Sequence, residues 1–292
     1  MAWRLSFGGP IGDRLSILSA LVLAGLLGQS VLRASPADSP DRIVFLQVGQ
    51  GDCTVIQSGG TTVLVDSAAR NDVLDAGESL AVPQLYDLGV RHIDAIILTH
   101  PDSDHVGGLI SVSRHFAVGK VFVNEAFRQH PDMLRTLALS RITSDRVLWV
   151  SSQRTLTFNR ASLRIVAPPG EQPDNDNDGS LLTWVTMGKS SALLMGDASA
   201  NVEYDLVARG LVGPVDLLKL GHHGSGGSTS AEFLMRTQPK WGLVSCGRNN
   251  TYGHPNAGVL ERLRAVHCRV WRTDRQGEVE FRPTAAGFAL AP

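Results

Sequence analysis

One pattern, written twice along the chain, limits the fold more than any other feature: short β-rich runs follow one another directly, then alternate with segments of helical period. In the first series Ile43 to Val48, Cys53 to Gln57 and Thr61 to Asp66 are broken only by Gly-Gln-Gly-Asp and Gly-Gly, which predicts an antiparallel meander. A helix over Leu80 to Leu88, a strand over Ile93 to Leu98, a helix over Gly107 to His115, a strand over Lys120 to Val123, a helix over Pro131 to Arg141 and a strand over Arg146 to Val150 follow. The second series repeats this. Strands over Thr155 to Asn159, Ser162 to Ala167, Leu181 to Met187 and Ala192 to Met195 precede helices over Asn201 to Arg209, Ser230 to Arg236 and Asn256 to Val266, which alternate with strands over Val215 to Leu220, Trp241 to Ser245 and Arg269 to Arg272. A sheet hydrophobic on both faces has to be covered on both, so two such series predict a mixed α/β (α+β) chain folded as a four-layer αββα sandwich.

Residues 38 to 292 read as one domain, since no Pro/Ser-rich or charged linker divides them. Residues 1 to 37 have different grammar: Arg4 and Arg14 precede the apolar run Leu15 to Gly28, and small residues and prolines follow. At roughly 14 residues the run is shorter than the ~20 of a membrane-crossing helix and suits a secretory signal. The expectation is export, periplasmic or extracellular, with a retained membrane anchor as the alternative. The formal charge is −1 over the whole chain, and the segment before Asp38 carries three Arg and one Asp, so the remainder sits near −3. That excludes a bulk-basic nucleic-acid binder, and a polyanionic substrate would need a local patch or a metal ion. Cys53, Cys246 and Cys268 lack zinc-knuckle or disulfide-scaffold spacing and read as buried small residues, with a Cys246–Cys268 bridge as the minor alternative in an exported protein. The run 174 to 179, Asp-Asn-Asp-Asn-Asp-Gly, has Val185 where a calcium loop needs Glu, and reads as a solvated turn.

The chemistry concentrates in Thr99-His100-Pro101-Asp102-Ser103-Asp104-His105, between a strand and a helix. On a tight turn His100, Asp102, Asp104 and His105 can converge, and in an apolar setting four such groups without a cation would be unpaired and costly. Mixed imidazole and carboxylate donors suit one or two divalent ions, Zn²⁺ or Mn²⁺. Gly196-Asp197 and Gly221-His222-His223-Gly224-Ser225 also end strands. Asp197 is placed to bridge two ions and His222 to complete the second; the competing structural reading makes Asp197 a helix N-cap.

With these residues the sequence resembles the metallo-β-lactamase superfamily, and more narrowly the extracytoplasmic hydrolase domain of ComEC-type DNA-internalisation competence proteins. The resemblance is carried by Gln47-Val48-Gly49-Gln50-Gly51-Asp52, Val65-Asp66-Ser67, Thr99 to Leu109, Leu194-Met195-Gly196-Asp197, Leu218 to Ser225, and Asn250-Thr251-Tyr252-Gly253-His254-Pro255-Asn256, in the family's order. It implies a metallo-β-lactamase sandwich and a nuclease or phosphodiesterase that cleaves DNA with metal-activated water. Asp104, His105, Asp197 and His222 would hold the better metal site, and His100, Asp102 and Asp197 the weaker. Lys219, His223 and His254 are candidates for phosphate contact or leaving-group protonation, and Asp52 for support of the ligands. Asp102 stands where most superfamily members have a second His, and the His usually donated before the bridging Asp is replaced in the Asn177 to Ser180 region. The channel and oligonucleotide-binding domains of ComEC proteins do not fit in this length, so channel-coupled uptake is not carried over. Two other classes remain: a small-molecule metallohydrolase of lactonase or β-lactamase type, and a noncatalytic module on the same fold.

Overall fold

The computed structural model describes residues 40–168, 173 and 175–291. The expected signal or anchor at 1 to 37 lies outside them, as does Asp174.

Strands β1 (Arg42–Phe45), β2 (Thr54–Ser58) and β3 (Thr61–Val65) form the expected antiparallel meander. Parallel to β3 run β4 (His92–Ile97), β5 (Ala117–Asn124) and β6 (Val147–Val150) in turn. The second sheet repeats the plan. Strands β7 (Gln153–Phe158), β8 (Ala161–Val166), β9 (Leu182–Met187) and β10 (Ser190–Leu194) are antiparallel neighbours, and β11 (Leu217–Lys219), β12 (Trp241–Val244) and β13 (Arg269–Arg272) extend β10 in parallel.

Two strands after residue 272 that the sequence pattern does not announce, β14 (Val279–Thr284) and β15 (Gly287–Leu290), return to the first sheet beside β1. Among the described residues the sheets therefore hold eight and seven strands, in the orders β15-β14-β1-β2-β3-β4-β5-β6 and β13-β12-β11-β10-β9-β8-β7.

The period-two alternation of each strand splits its side chains between two cores. In β4 and just beyond it, Ile96 and Leu98 point into one cluster and Ala95 and Ile97 into another. The first cluster is closed by the helices α1 (Val82–Asp87), α3 (Leu109–His115) and α4 (Pro131–Leu139) through Leu85, Val112 and Met133; between α1 and α3 lies the short α2 (Ser103–Val106). The second fills the space between the sheets, where Ile43, Phe45 and Ile97 share a cluster with Ile165, Leu194 and Leu217. A third joins Leu193, Leu218 and Val244 to α5 (Ala200–Ala208), α6 (Ala231–Thr237) and α7 (Ala257–Ala265) through Leu206, Phe233 and Leu263. These are the four layers α, β, β, α. Strands buried on both faces explain why so many read as continuous apolar runs instead of alternating ones. Among the described residues no helix is long and apolar enough to cross a membrane.

The three cysteines are free and buried, Cys246 and Cys268 within the third core, so the bridge weighed for them is not formed. The described part of the Asp/Asn run is solvated at its start, where Asn175 is exposed, and buried at its end. Asp178 is buried, accepts from Ser199 N at 3.0 Å and from Asn175 Nδ2 at 3.0 Å, and so ties the loop to the segment that carries Asp197.

Candidate metal centre

Much of the site is built at the C-terminal ends of parallel strands, the place where α/β sheets gather ligands. Asp66 follows β3, Thr99 and His100 follow β4, Asp197 follows β10, His222 and His223 follow β11, and Ser245 follows β12. Backbone bonds lock these ends to one another: Asp66 N to Ile97 O at 2.9 Å, His222 N to Gly196 O at 3.1 Å, and Leu181 N to Thr99 O at 2.9 Å across the two sheets. The Thr99 to His105 segment is drawn against the β1–β2 connection, where Asp52 N donates to Asp104 O at 3.2 Å. At Gly51 (φ +128°) any Cβ would strike that same Asp104 carbonyl, so the close approach requires glycine.

Four buried residues, Asp52, His105, Asp197 and His223, each offer a ligand atom, and these atoms lie within 4.8 Å of one another. His105 Nε2 and His223 Nε2 are 3.4 Å apart, and Asp197 Oδ1 lies 3.3 Å from the first and its Oδ2 3.5 Å from the second. Asp104 Oδ2 joins them from the open side, 3.3 Å from His223 Nε2 and 4.0 Å from His105 Nε2. The opposite ring nitrogens are held by acceptors, His105 Nδ1 by Asp66 Oδ2 at 2.8 Å and His223 Nδ1 by the Ser245 carbonyl at 2.9 Å. Such acceptors fix the tautomer that leaves each Nε2 free as a donor to a metal. Asp66 is itself held by Thr99 N and Oγ1. Neither Asp66 nor Thr99 receives a role from the sequence alone; the signal for one is their position at the ends of two neighbouring strands.

His100 lies beside this group, its ring centroid 4.2 Å from that of His105. Its Nε2 is 3.5 Å from Asp102 Oδ2. His100 Nε2 and Asp197 Oδ1 are both buried without a hydrogen-bond partner. Two orphaned buried atoms aimed into a cluster of imidazoles and carboxylates fit a divalent cation, which would satisfy both. Asp197 is free for this because Ser199 caps α5 instead, its hydroxyl accepting from Asn201 N. Ser180 Oγ accepts from Asp197 N at 3.0 Å, so the region in which the family's usual histidine is replaced backs the aspartate instead of adding a donor.

The placement of the two adjacent histidines differs from expectation. His222, His223 and Gly224 all have positive φ (47°, 52° and 78°), so the chain coils left-handed and sends consecutive imidazoles to different sides. His223 goes into the buried group and His222 to the rim, 37% exposed, with its Nε2 4.0 Å from Asp197 Oδ2. Lys219 is also displaced from its expected place at a phosphate: it is 2% exposed, and Nζ lies 2.6 Å from Asp52 Oδ2 and 3.0 Å from Leu220 O, beneath the cluster. His254 stands at the mouth, its ring centroid 5.6 Å from that of His222 and 6.4 Å from that of His223.

Burial disfavours charge on His105, but the Asp197, Asp66 and Asp104 carboxylates outweigh it and hold that imidazole well above its ordinary pKa. For His223 the same burial is overcome by Asp197 and Asp52, and its pKa is raised. Burial works against ionised Asp197 and Asp104 too, yet the neighbouring histidines pull both below the carboxylate range. At the rim burial wins: the pKa values of His222 and His254 are lowered, that of His254 also by the two histidines near it.

Fold and site together define an αββα domain with a candidate histidine–aspartate metal site at the C-terminal ends of strands from both sheets. The chain belongs to the metallo-beta-lactamase superfamily, whose family model matches residues 46–248. It is similar to ComE operon protein 3 of Bacillus subtilis, 30% identical over 84% of this chain and 33% of that protein. It is also similar to the competence protein ComA of Neisseria gonorrhoeae, 32% identical over 78% of this chain and 32% of that protein. The chain thus spans about a third of the length of these relatives. Among solved structures, the metallo-beta-lactamase fold protein YhfI from Bacillus subtilis superposes with a TM-score of 0.53 at 14% identity, over 82% of this chain and 99% of that one. CmlA, a diiron β-hydroxylase from Streptomyces venezuelae, gives 0.55 at 17% identity over 83% and 54%. At these identities the two structures share the fold with this chain.

Proposed function

We propose that this domain is a metal-dependent phosphodiesterase that cleaves DNA outside the cytoplasm. The observation that carries the reading is the similarity to competence-named proteins over most of the chain. His105, His223, Asp104 and Asp197 would hold one ion, and His100, Asp102 and Asp197, with His222 at the rim, a second. Asp52 belongs beneath them, because the Lys219 ammonium 2.6 Å away already balances its charge and would repel a cation there.

A divalent ion so held supplies Lewis acidity at the phosphoryl oxygens and lowers the pKa of water. Oxygen-rich ligation by three aspartates suits Mn²⁺ as well as Zn²⁺. The chain's own residues do the rest. Asp66 and the Ser245 carbonyl orient the two buried imidazoles, and His254 at the mouth is placed to pass a proton to a leaving oxygen. A cavity of about 840 Å³ opens beside Asp102 and Asp104, lined also by Arg70, Arg135 and Tyr252, which is room for a substrate larger than a lactone.

The test is substrate class. With Mn²⁺ or Zn²⁺ the full-length chain is expected to hydrolyse bis(p-nitrophenyl) phosphate and to leave an acyl-homoserine lactone and a cephalosporin intact. Turnover of either of the latter with none of the phosphodiester would replace this reading by the small-molecule hydrolase.

A further inference from the structure

His254, at the mouth of the metal centre, also lines a second hollow of about 420 Å³, together with Arg248, Arg272, Arg275, Asp274 and Asn250. Its charge is unbalanced. Three guanidinium groups face one carboxylate, and Asp274 is taken by Arg272, whose Nε and Nη2 reach it at 3.0 and 2.7 Å. Arg272 and Arg275 are shared with a further hollow of about 460 Å³ that Arg264 also lines, so the two hollows adjoin at these side chains as an arginine-lined trough. Arg248, Arg264 and Arg275 are exposed. In a chain of formal charge −1 this concentration of arginine is local.

An aromatic pair borders the first of these hollows through His254, which lines it. Tyr252 stacks on His254 with centroids 5.9 Å apart and planes 11° from parallel, and His254 is in turn 29° from parallel to His223. Tyr252 is 69% exposed, a large fraction for an aromatic ring in contact with a binding cavity. An exposed planar ring, supported on one side by a histidine that itself lines an arginine-rich hollow, is an arrangement that suits unpaired nucleobases: the bases stack while the phosphates follow the positive charge.

We propose that Tyr252 and the Arg248–Arg272–Arg275–Arg264 trough form a track for single-stranded nucleic acid, with a base stacked on Tyr252 and the backbone leading from the metal centre into the trough. This rests on the phosphodiesterase reading for the direction of the strand. A duplex keeps its bases paired and offers the tyrosine none, so the track selects for single strands.

The test is fluorescence anisotropy with the metal-loaded full-length chain and phosphorothioate-linked dT20, which resists cleavage. Single strand is expected to bind at least tenfold tighter than the same sequence in duplex. Combined Arg248→Gln, Arg264→Gln and Arg275→Gln, all at exposed positions, are expected to lower the slope of log K against log salt by about 2, at roughly 0.7 for each phosphate no longer neutralised. Tyr252→Ala is expected to weaken binding about 5- to 150-fold, and Tyr252→Phe to restore it. A salt slope unchanged in the triple variant, Tyr252→Ala binding within twofold of wild type, or tighter binding of the duplex overturns the proposal. Binding that follows the track while ordinary dT20 survives with every metal overturns the phosphodiesterase reading and leaves the track as a binding surface.

Discussion

Lys219 Nζ lies 2.6 Å from Asp52 Oδ2, and both side chains are buried directly beneath the two histidines of the metal centre. Asp52 Oδ1 is 3.7 Å from His223 Nδ1, and Oδ2 is 3.9 Å from His105 Nδ1, so the pair forms the floor on which both imidazoles rest. Burial opposes the lysine's charge, but Asp52 and Asp197 outweigh it and raise its pKa.

Removing one member of a buried ion pair leaves the other uncompensated, which costs about 3–5 kcal/mol. Lys219→Met is therefore expected to destabilise the fold by that order in urea unfolding. Lys219→Met combined with Asp52→Leu is expected to recover most of that stability while metal affinity stays impaired. A single variant as stable as wild type would remove the ion pair from the account.

His222 and His223 are adjacent in sequence and unequal in place. His223→Ala is expected to weaken binding of the tighter metal ion at least tenfold by isothermal titration, and His222→Ala to affect only the second, weaker ion. The reverse order would mean that His222 is the principal ligand.

Stability against pH is expected to change direction with metal. In the metal-free chain His105 and His223 have folded pKa values above the ordinary 6.5, so their contribution is full below 6.5 and is lost as pH rises through the raised values. Asp104 and Asp197 have pKa values below the ordinary 3.8, so theirs is present above 3.8 and is lost as pH falls through the depressed values. Metal-free protein is thus expected to melt highest between about 4 and 6.5 and progressively lower above that. Metal must displace the protons on both imidazoles, so metal-loaded protein is expected to gain melting temperature over the same rise. Parallel pH trends with and without metal would contradict the assignment of these histidines as ligands.

Phe281 on β14 is fully buried, its ring centroid 6.4 Å from that of Phe45 and 5.4 Å from that of Trp241 on the other sheet. Phe281→Ala is expected to cost about 3–5 kcal/mol in chemical unfolding. A cost below about 1 kcal/mol, far under that of emptying a core aromatic site, would show that the C-terminal strands are not part of the central core.

The Thr99 to His105 cluster was legible because its donors are close in sequence, and the layers because strand-like runs are followed twice by segments of helical period. What escaped depends on pairing between distant segments. Val279 and Phe281 alternate with exposed or half-buried neighbours, but their pairing with Ile43 and Phe45 spans most of the chain. The choice between His222 and His223 rests on two successive left-handed non-glycine residues, too rare for the sequence to announce, and the burial of Lys219 on its aspartate partner. Asp66 was visible as a motif, yet its role exists only through the imidazole it touches.

In the proposed function these residues form a metal-dependent phosphodiester-cleaving centre. The most direct measurement is cleavage of single- and double-stranded DNA by the full-length chain, purified without chelator and assayed with Mn²⁺, Zn²⁺ or no added metal, beside His105→Ala. Cleavage that requires metal and is lost in the variant is the expected result. Bound metal with no cleavage of either DNA under any condition would contradict it.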